Sequence, residues 1–522
     1  MSQLPPDPYQ NPFPHARPAE PLQLGFDEET PTEKPRRRGS VFGVAFAWIT
    51  IATIGVFMYA LNDLDNRREI SEGEAKVELQ QVNSMAKFAI ASANWAGSSE
   101  GLADNLNSGP YEHRLCYVLM TSELEGPQKA IEELDQLDNK ATNTEYQLNE
   151  KQIRLNRIIR NLLLDYQQDN WAADSVSTVD REFLVEELGF SASIGLAPSE
   201  GADTTNRQSL LDQAKRSTNL LFALVVFVLL GGIMGMGCFG ALGMLLFGKF
   251  FGHYVTDNKP WQTFRFFRSH FQEDSLNGRI YAETFALWLI CFLGSGLVIG
   301  LILAASGIQL NETMAAGLGF VTFLGSLIAL IWPTLRGIPF GTMCDDVGLR
   351  IGNPFKEVFC GVYAYLANLP IMLVGLICAG QLAALSESMK DAHELEATRQ
   401  VSHPIVEKIA QGDTLLIVLV ILTAVVGAPI VEEVAFRGLL YRHLREATLR
   451  WGRILSVAFS VLFNGLIFAA IHPQGWTAIP VLTSLAIGFS WAREWRGSLI
   501  APMTMHAINN GFISIVMLMT LA

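Results

Sequence analysis

The sequence predicts an all-α protein: a polytopic bundle of about nine transmembrane helices with a helical domain inserted outside the cytoplasm. Three observations carry that expectation. Half of the 522 residues are hydrophobic and only 17% are charged, a membrane composition that sets soluble-enzyme classes aside. The apolar residues gather in repeated runs of the roughly 20 residues that a helix needs to cross a hydrocarbon layer about 30 Å thick. Basic residues cluster in alternate loops between those runs.

Residues 1–39 are rich in proline and polar side chains and bury too little to offset the entropy of ordering, so they read as a disordered cytoplasmic tail. The tail ends in Lys34-Pro35-Arg36-Arg37-Arg38, directly before the apolar run 41–61. That basic flank holds the N-terminus in the cytoplasm. The run is longer than a signal-peptide core and has no small-residue cleavage pattern, which makes it an uncleaved signal anchor.

Residues 62–218 turn polar, with acidic clusters such as Glu132-Glu133-Leu134-Asp135. Leu148, Leu155 and Leu162 recur every seven residues, and Ile159 and Tyr166 follow the last two by four, the stripe of an amphipathic helix. A small extracytoplasmic helical domain or a coiled-coil hairpin is expected here. The net charge of −13 is concentrated in this segment and serves solvation, with no nucleic-acid partner implied.

Further spans are expected at 219–248, 284–304, 314–334, 357–385, 414–428 continuing past Pro429, 454–471, 477–492 and 498–521. Transmembrane helices thus occupy 219–344, and 345–522 forms a separate C-terminal domain. Threading the spans alternately places Lys249, Lys259, Arg265, Arg268 and Arg279 inside, then Arg336, Arg350 and Lys356, then Arg442, Arg445, Arg450 and Arg453, then Arg493 and Arg496. The chain is therefore expected to be a multi-pass integral protein of the cell membrane with a cytoplasmic N-terminus. The six cysteines show no spacing of a disulfide framework or a zinc site.

An ionisable side chain within a bilayer costs on the order of 2.5–3.5 kcal/mol on insertion scales, so a membrane helix keeps one only with a partner or a purpose. Three clusters stand out: Pro429-Ile430-Val431-Glu432-Glu433-Val434-Ala435-Phe436-Arg437-Gly438, Phe468-Ala469-Ala470-Ile471-His472, and His506-Ala507-Ile508-Asn509-Asn510. Glu433 and Arg437, Phe468 and His472, and His506 and Asn510 each lie four apart, on one helix face. Arg437 neutralises Glu433, which leaves Glu432 as the carboxylate free for general-base work. A turn at Trp451-Gly452-Arg453, midway between Glu432 and His472, brings those two to similar depth on antiparallel helices. A water between them would be activated for attack on a peptide carbonyl, with His506 and Asn510 donating to the oxyanion.

The order EExxxR, FxxxH, HxxxN resembles the signature of the CPBP family of intramembrane proteases, which includes the CAAX prenyl endopeptidases and Abi-type, bacteriocin-processing relatives. The resemblance spans 345–522, and Gly348-Leu349-Arg350 is similar to a short segment that often precedes this domain. It implies an endopeptidase in which Glu432 and His472 activate water, His506 and Asn510 stabilise the oxyanion, and Glu433, Arg437 and Phe468 support them. The implied partners are the lipid bilayer and a peptide or protein substrate, membrane-anchored in one version. The family carries a metalloprotease label as well as a metal-independent one. No cofactor is favoured, and the alternative is a divalent ion, zinc, on Glu432, His472 and His506.

Plainer readings compete. The glutamate pair after Pro429 can complement a helix N-terminus, and a lone buried histidine is more often a satisfied core residue. A noncatalytic immunity-type binder or scaffold, or a transporter, would use the same helices, although no internal repeat of a transporter is present. His253, His270 and His443, and the pair Asp345-Asp346, are expected to be ordinary solvated loop residues.

Overall fold

A computed structural model of the chain describes residues 39–66, 72–96, 101–107, 109–143, 146–200, 204–255, 271, 276–350, 352–388 and 413–521. No strand occurs among them. The expected tail up to residue 38, the cations Lys259, Arg265 and Arg268, and His270 lie outside the described residues, as do the side chains of Lys249 and His253.

The first apolar run, expected to be a signal anchor, forms α1 (Val41–Asn66). The polar segment that follows is built from α2 (Glu72–Ala96), α3 (Tyr111–Glu125), α4 (Pro127–Asn143), α5 (Glu150–Gln167), α6 (Thr178–Leu188) and α7 (Phe190–Gly195). Most of the seven-residue stripe lies on α5, where Leu155, Ile159, Leu162 and Tyr166 are buried in a core shared with Leu115, Leu119, Leu134 and Leu184, while Leu148 precedes the helix and packs partly buried against that core. A several-helix unit, rather than a two-helix coiled coil, therefore closes over that stripe. Burying each leucine contributes about 1.5–3 kcal/mol. The start of α5 is fixed by a reciprocal cap, in which Asn149 accepts from the Gln152 N–H and Gln152 returns the bond to the Asn149 N–H.

Cys116 sits at the centre of this unit, fully buried, and desolvation pushes its thiol up to about 12. It should resist maleimide in the native protein and react completely after denaturation. Mass-shift labelling of the peptide containing it checks this, and rapid native labelling would contradict the burial.

The unit passes into the membrane portion without a break, because α8 (Thr204–Val255) is one helix of 52 residues spanning the expected boundary at 218. Then come α9 (Gly278–Ser306), α10 (Glu312–Leu335), α11 (Phe340–Val347), α12 (Pro354–Ser388), α13 (Thr414–Trp451), α14 (Arg453–Ala470), α15 (Ile479–Arg496) and α16 (Ile500–Leu521). Six described helices are long and apolar enough to cross a membrane: the 41–58 part of α1, α9, α10, the 354–383 part of α12, α13 and α14. The chain is a helical multi-pass membrane bundle. The runs expected at 219–248, 477–492 and 498–521 are helical but not among those six, and α15 and α16 carry polar residues that lower their hydropathy.

The glutamate pair does not begin a helix. α13 runs through Pro429, so the helix-N-terminus reading is overturned: Glu433 is fully buried in mid-helix. The turn at Gly452 is as expected, with φ +82°, a conformation glycine adopts without a Cβ clash. Small residues let the helices that carry the site approach closely. A methyl on Gly361 of α12 would lie 2.7 Å from the Ala501 carbonyl of α16.

Two expectations for the loops fail, the solvation of Asp346 and of His443, because a buried belt of polar and ionic contacts forms at one end of α13, α15 and α9. Asp346 is 2% exposed rather than solvated, accepting from Tyr281 Oη at 2.7 Å and Asn277 Nδ2 at 2.9 Å, with Arg442 Nη2 3.7 Å away. Its neighbour Asp345 is the exposed member and pairs with Arg350 at 2.8 Å. His443 is buried too: Nδ1 faces the Gly278 carbonyl at 2.9 Å, and Nε2 accepts from Trp48 Nε1 at 3.2 Å. Arg445 pairs with Glu494 at 3.1 Å and Arg496 with Glu357 at 2.9 Å, so these cations are also buried. At ~1.5 Å per residue, α13 covers about 57 Å, well beyond the hydrocarbon thickness.

Candidate active site

Three helices bring the predicted residues together. α13 carries Glu432, Glu433 and Arg437; the end of α14 carries Phe468, with His472 just past it; α16 carries His506 and Asn510. Glu432 Oε2 lies 3.7 Å from His472 Nε2 and 3.9 Å from His506 Nε2. Both separations exceed a direct hydrogen bond and suit a bridging water. That oxygen has no hydrogen-bond partner among the described residues. The Glu432 and His472 side chains keep 18% and 19% exposure although Oε2 itself is buried, whereas His506 keeps 4%.

Each histidine is held through its other ring nitrogen. His472 Nδ1 meets the Phe468 carbonyl at 2.5 Å, so Nδ1 carries the proton and Nε2 faces Glu432 as an acceptor. The Phe468 ring lies against the His472 imidazole with centroids 4.1 Å apart. His506 Nδ1 donates to Glu433 Oε1 at 2.9 Å, and its ring stacks on Phe489 at 5.1 Å. Glu433 therefore orients His506, a role that its pairing with Arg437 alone did not disclose.

Arg437 donates to Glu433 Oε1 at 3.1 Å and to the Ala486 carbonyl at 3.3 Å. Its guanidinium lies 4.7 Å from the Phe468 ring, 5.0 Å from Phe489 and 5.8 Å from Phe436. A fully buried ion pair persists only when its remaining groups find partners, and these π faces supply part of that.

The backbone of α13 is not a regular α-helix. It widens to π geometry at Thr423–Gly427 and again at Glu433–Leu440, on either side of Glu432. Such widened turns occur often at functional sites. In the first, the Ala428 N–H reaches the Thr423 carbonyl and Pro429 has no N–H to give. The Ala424 carbonyl takes its donor from Asn510 Nδ2, at 2.8 Å. Asn510 thus spends one of its two amide protons on the turn before Glu432, and its Oδ1 accepts from Asn509 at 3.3 Å.

Sequence reasoning missed Asn464. This fully buried residue donates from Nδ2 to the Phe436 carbonyl at 2.8 Å and accepts from Ser490 Oγ at 3.1 Å. The signal was available: Asn464, Phe468 and His472 are spaced by four.

Among the described residues, no group of three or more His, Cys, Asp and Glu side chains is placed to hold a metal ion. The Nδ1 atoms of His472 and His506 are engaged within the protein. Their Nε2 atoms stay turned toward Glu432 Oε2, and no step below passes through a metal.

Residues 414–512 match the family model described as type II CAAX prenyl endopeptidase Rce1-like. A curated relative, the membrane-embedded CAAX protease MroQ of Staphylococcus aureus (strain USA300), is 30% identical over 102 residues, which are 20% of this chain and 40% of that protein. No solved structure gives a significant match. The matched segment contains Glu432, Glu433, Arg437, His472, His506 and Asn510.

Proposed function

With a C-terminal segment that belongs to the CPBP family of intramembrane proteases, we propose that the chain is an intramembrane endopeptidase of the CAAX-endopeptidase type. Its substrates would be membrane-anchored or prenylated peptides. The observation that carries this reading is the convergence of Glu432 Oε2 on two histidine Nε2 atoms, at 3.7 and 3.9 Å, from three separate helices.

In this mechanism a water is held between Glu432 Oε2 and His472 Nε2. Glu432 takes its proton as the oxygen attacks the peptide carbonyl, and the C–O bond forms while the carbonyl π pair moves to the oxyanion. His506 donates to that oxyanion from Nε2, with the second amide proton of Asn510. Because His506 Nδ1–H is already given to Glu433, donation from Nε2 requires the imidazolium. Two carboxylates, one guanidinium and one imidazolium then leave the buried cluster neutral, which lowers the cost of keeping it out of water. On collapse the C–N bond breaks, and the proton on Glu432 passes to the leaving amine. The loop cations of the alternate threading, Lys356 and Arg450 among them, support a cytoplasmic N-terminus, with the α2–α7 unit on the outer side in this reading.

The test is cleavage by the purified chain of a panel of prenylated and unprenylated membrane-anchored peptides, with products identified by mass spectrometry and a chelator in one arm. Cleavage of an internal bond that persists with chelator is expected. Loss with chelator and restoration by zinc would move the mechanism to a metal-dependent version on Glu432, His472 and His506. Tight binding of a peptide without cleavage would support the noncatalytic binder instead.

A further inference from the structure

The widened turn that follows Glu432 has a feature that no motif residue explains. The Phe436 carbonyl receives the Tyr441 N–H, the five-residue register of a π turn, and also receives Asn464 Nδ2 at 2.8 Å. Ser490 Oγ donates to Asn464 Oδ1 at 3.1 Å, which fixes the amide so that its NH2 group faces the carbonyl. Asn464 and Ser490 are both fully buried. Asn464 lies on the same face of α14 as Phe468, one turn before it, so the helix that leads into His472 also grips the helix that presents the carboxylates. The other widened turn is held in the same manner, by Asn510 on the Ala424 carbonyl. Side-chain amides from two neighbouring helices thus bracket Glu432.

We infer that Asn464, oriented by Ser490, is a positioning residue for the hydrolytic centre: it holds Glu433–Leu440 in the π register and thereby sets Glu432 and Glu433 against His506. Its kinetic consequence rests on the hydrolytic reading above, whereas its structural consequence does not. If the turn reverted to α register, with the Phe436 carbonyl taking the Leu440 N–H, the segment before it would rotate by about 100° relative to the segment after it. That rotation would carry Glu433 away from His506 Nδ1 and Glu432 away from both Nε2 atoms. Asn464 touches neither the water nor the scissile bond, so its loss lowers turnover and spares substrate affinity.

The test uses Asn464→Leu in the full chain, read by steady-state kinetics and by amide hydrogen exchange across 433–445. Expected are a fall in kcat of about 10²-fold with KM within about threefold, and faster exchange at Leu440 and Tyr441 with the 500–510 amides unchanged. Ser490→Ala frees the amide to turn without removing it. It should act in the same direction, by about tenfold in kcat, and it serves where Asn464→Leu does not fold. Unchanged kcat in a folded variant, or unchanged exchange across 433–441, overturns the inference. If the wild-type chain cleaves nothing, the protease reading fails separately and the exchange result alone decides this one.

Discussion

Glu432→Gln should lower kcat for peptide cleavage by about 10²- to 10⁴-fold, the range removed with a general base, while the protein folds and inserts as the wild type does. The amide keeps the volume and the hydrogen-bonding reach of the carboxylate but cannot accept the proton of the attacking water. The loss in stability should stay small, because Oε2 has no direct hydrogen-bond partner among the described residues and His506, 3.9 Å away, can release its second proton once the carboxylate that balances it is gone. Parallel measurement of cleavage rate and SDS-driven unfolding separates the two effects. A variant that retains more than half of the wild-type rate would remove Glu432 from the chemistry.

The second large effect is one of stability. Arg437→Ala should cost about 3–5 kcal/mol, the penalty for leaving one member of a buried ion pair without the other. Glu433 and Arg437 are both fully buried, so solvent cannot screen the carboxylate left behind. Two further losses accompany it, the bond to the Ala486 carbonyl and the packing of the guanidinium among Phe468, Phe489 and Phe436. Arg437→Lys should recover only part, since an ammonium supplies charge without the planar fork that reaches Glu433 and Ala486 together. Unfolding of both variants in mixed micelles checks this, and a loss under about 1 kcal/mol for Arg437→Ala would mean that the pair is not buried as described.

Much of the site was legible in the sequence because membrane helices tolerate few ionisable groups. In apolar runs, Glu432, His472 and His506 stand out by cost alone, and their order along the chain carried the family resemblance. The amphipathic stripe on α5 was legible for a similar reason, since Leu155, Ile159, Leu162 and Tyr166 repeat at helical spacing and all are buried.

Other features were hidden because they depend on partners distant in sequence. Arg445 reads as a loop cation until Glu494, 49 residues on, meets it. Asp346 reads as solvated until Tyr281 and Arg442 close over it. The burial of these groups also weakens them as markers of membrane sidedness, since a paired cation no longer acts as a free charge in a loop.

The widened turns were hidden for a geometric reason. Spacing arguments assume about 3.6 residues per turn, and α13 departs from that on both sides of Glu432. Pro429 was the one local clue, because its missing N–H leaves a carbonyl one turn earlier in need of another donor. The same effect recasts Asn510. Its expected place beside the oxyanion is compatible with only one of its two amide protons, the other being given to Ala424.

The central claim is that Glu432 and His472 act on one water, and a double-mutant cycle on the cleavage rate tests it most directly. Glu432→Gln, His472→Gln and the double variant are compared with the wild type on one cleaved peptide. Residues that serve a single step as a unit give losses far from additive, so the double variant should be no slower than the worse single variant by more than about threefold. Losses that multiply in the double variant would mean that the two side chains act independently, and the shared water would have to be abandoned.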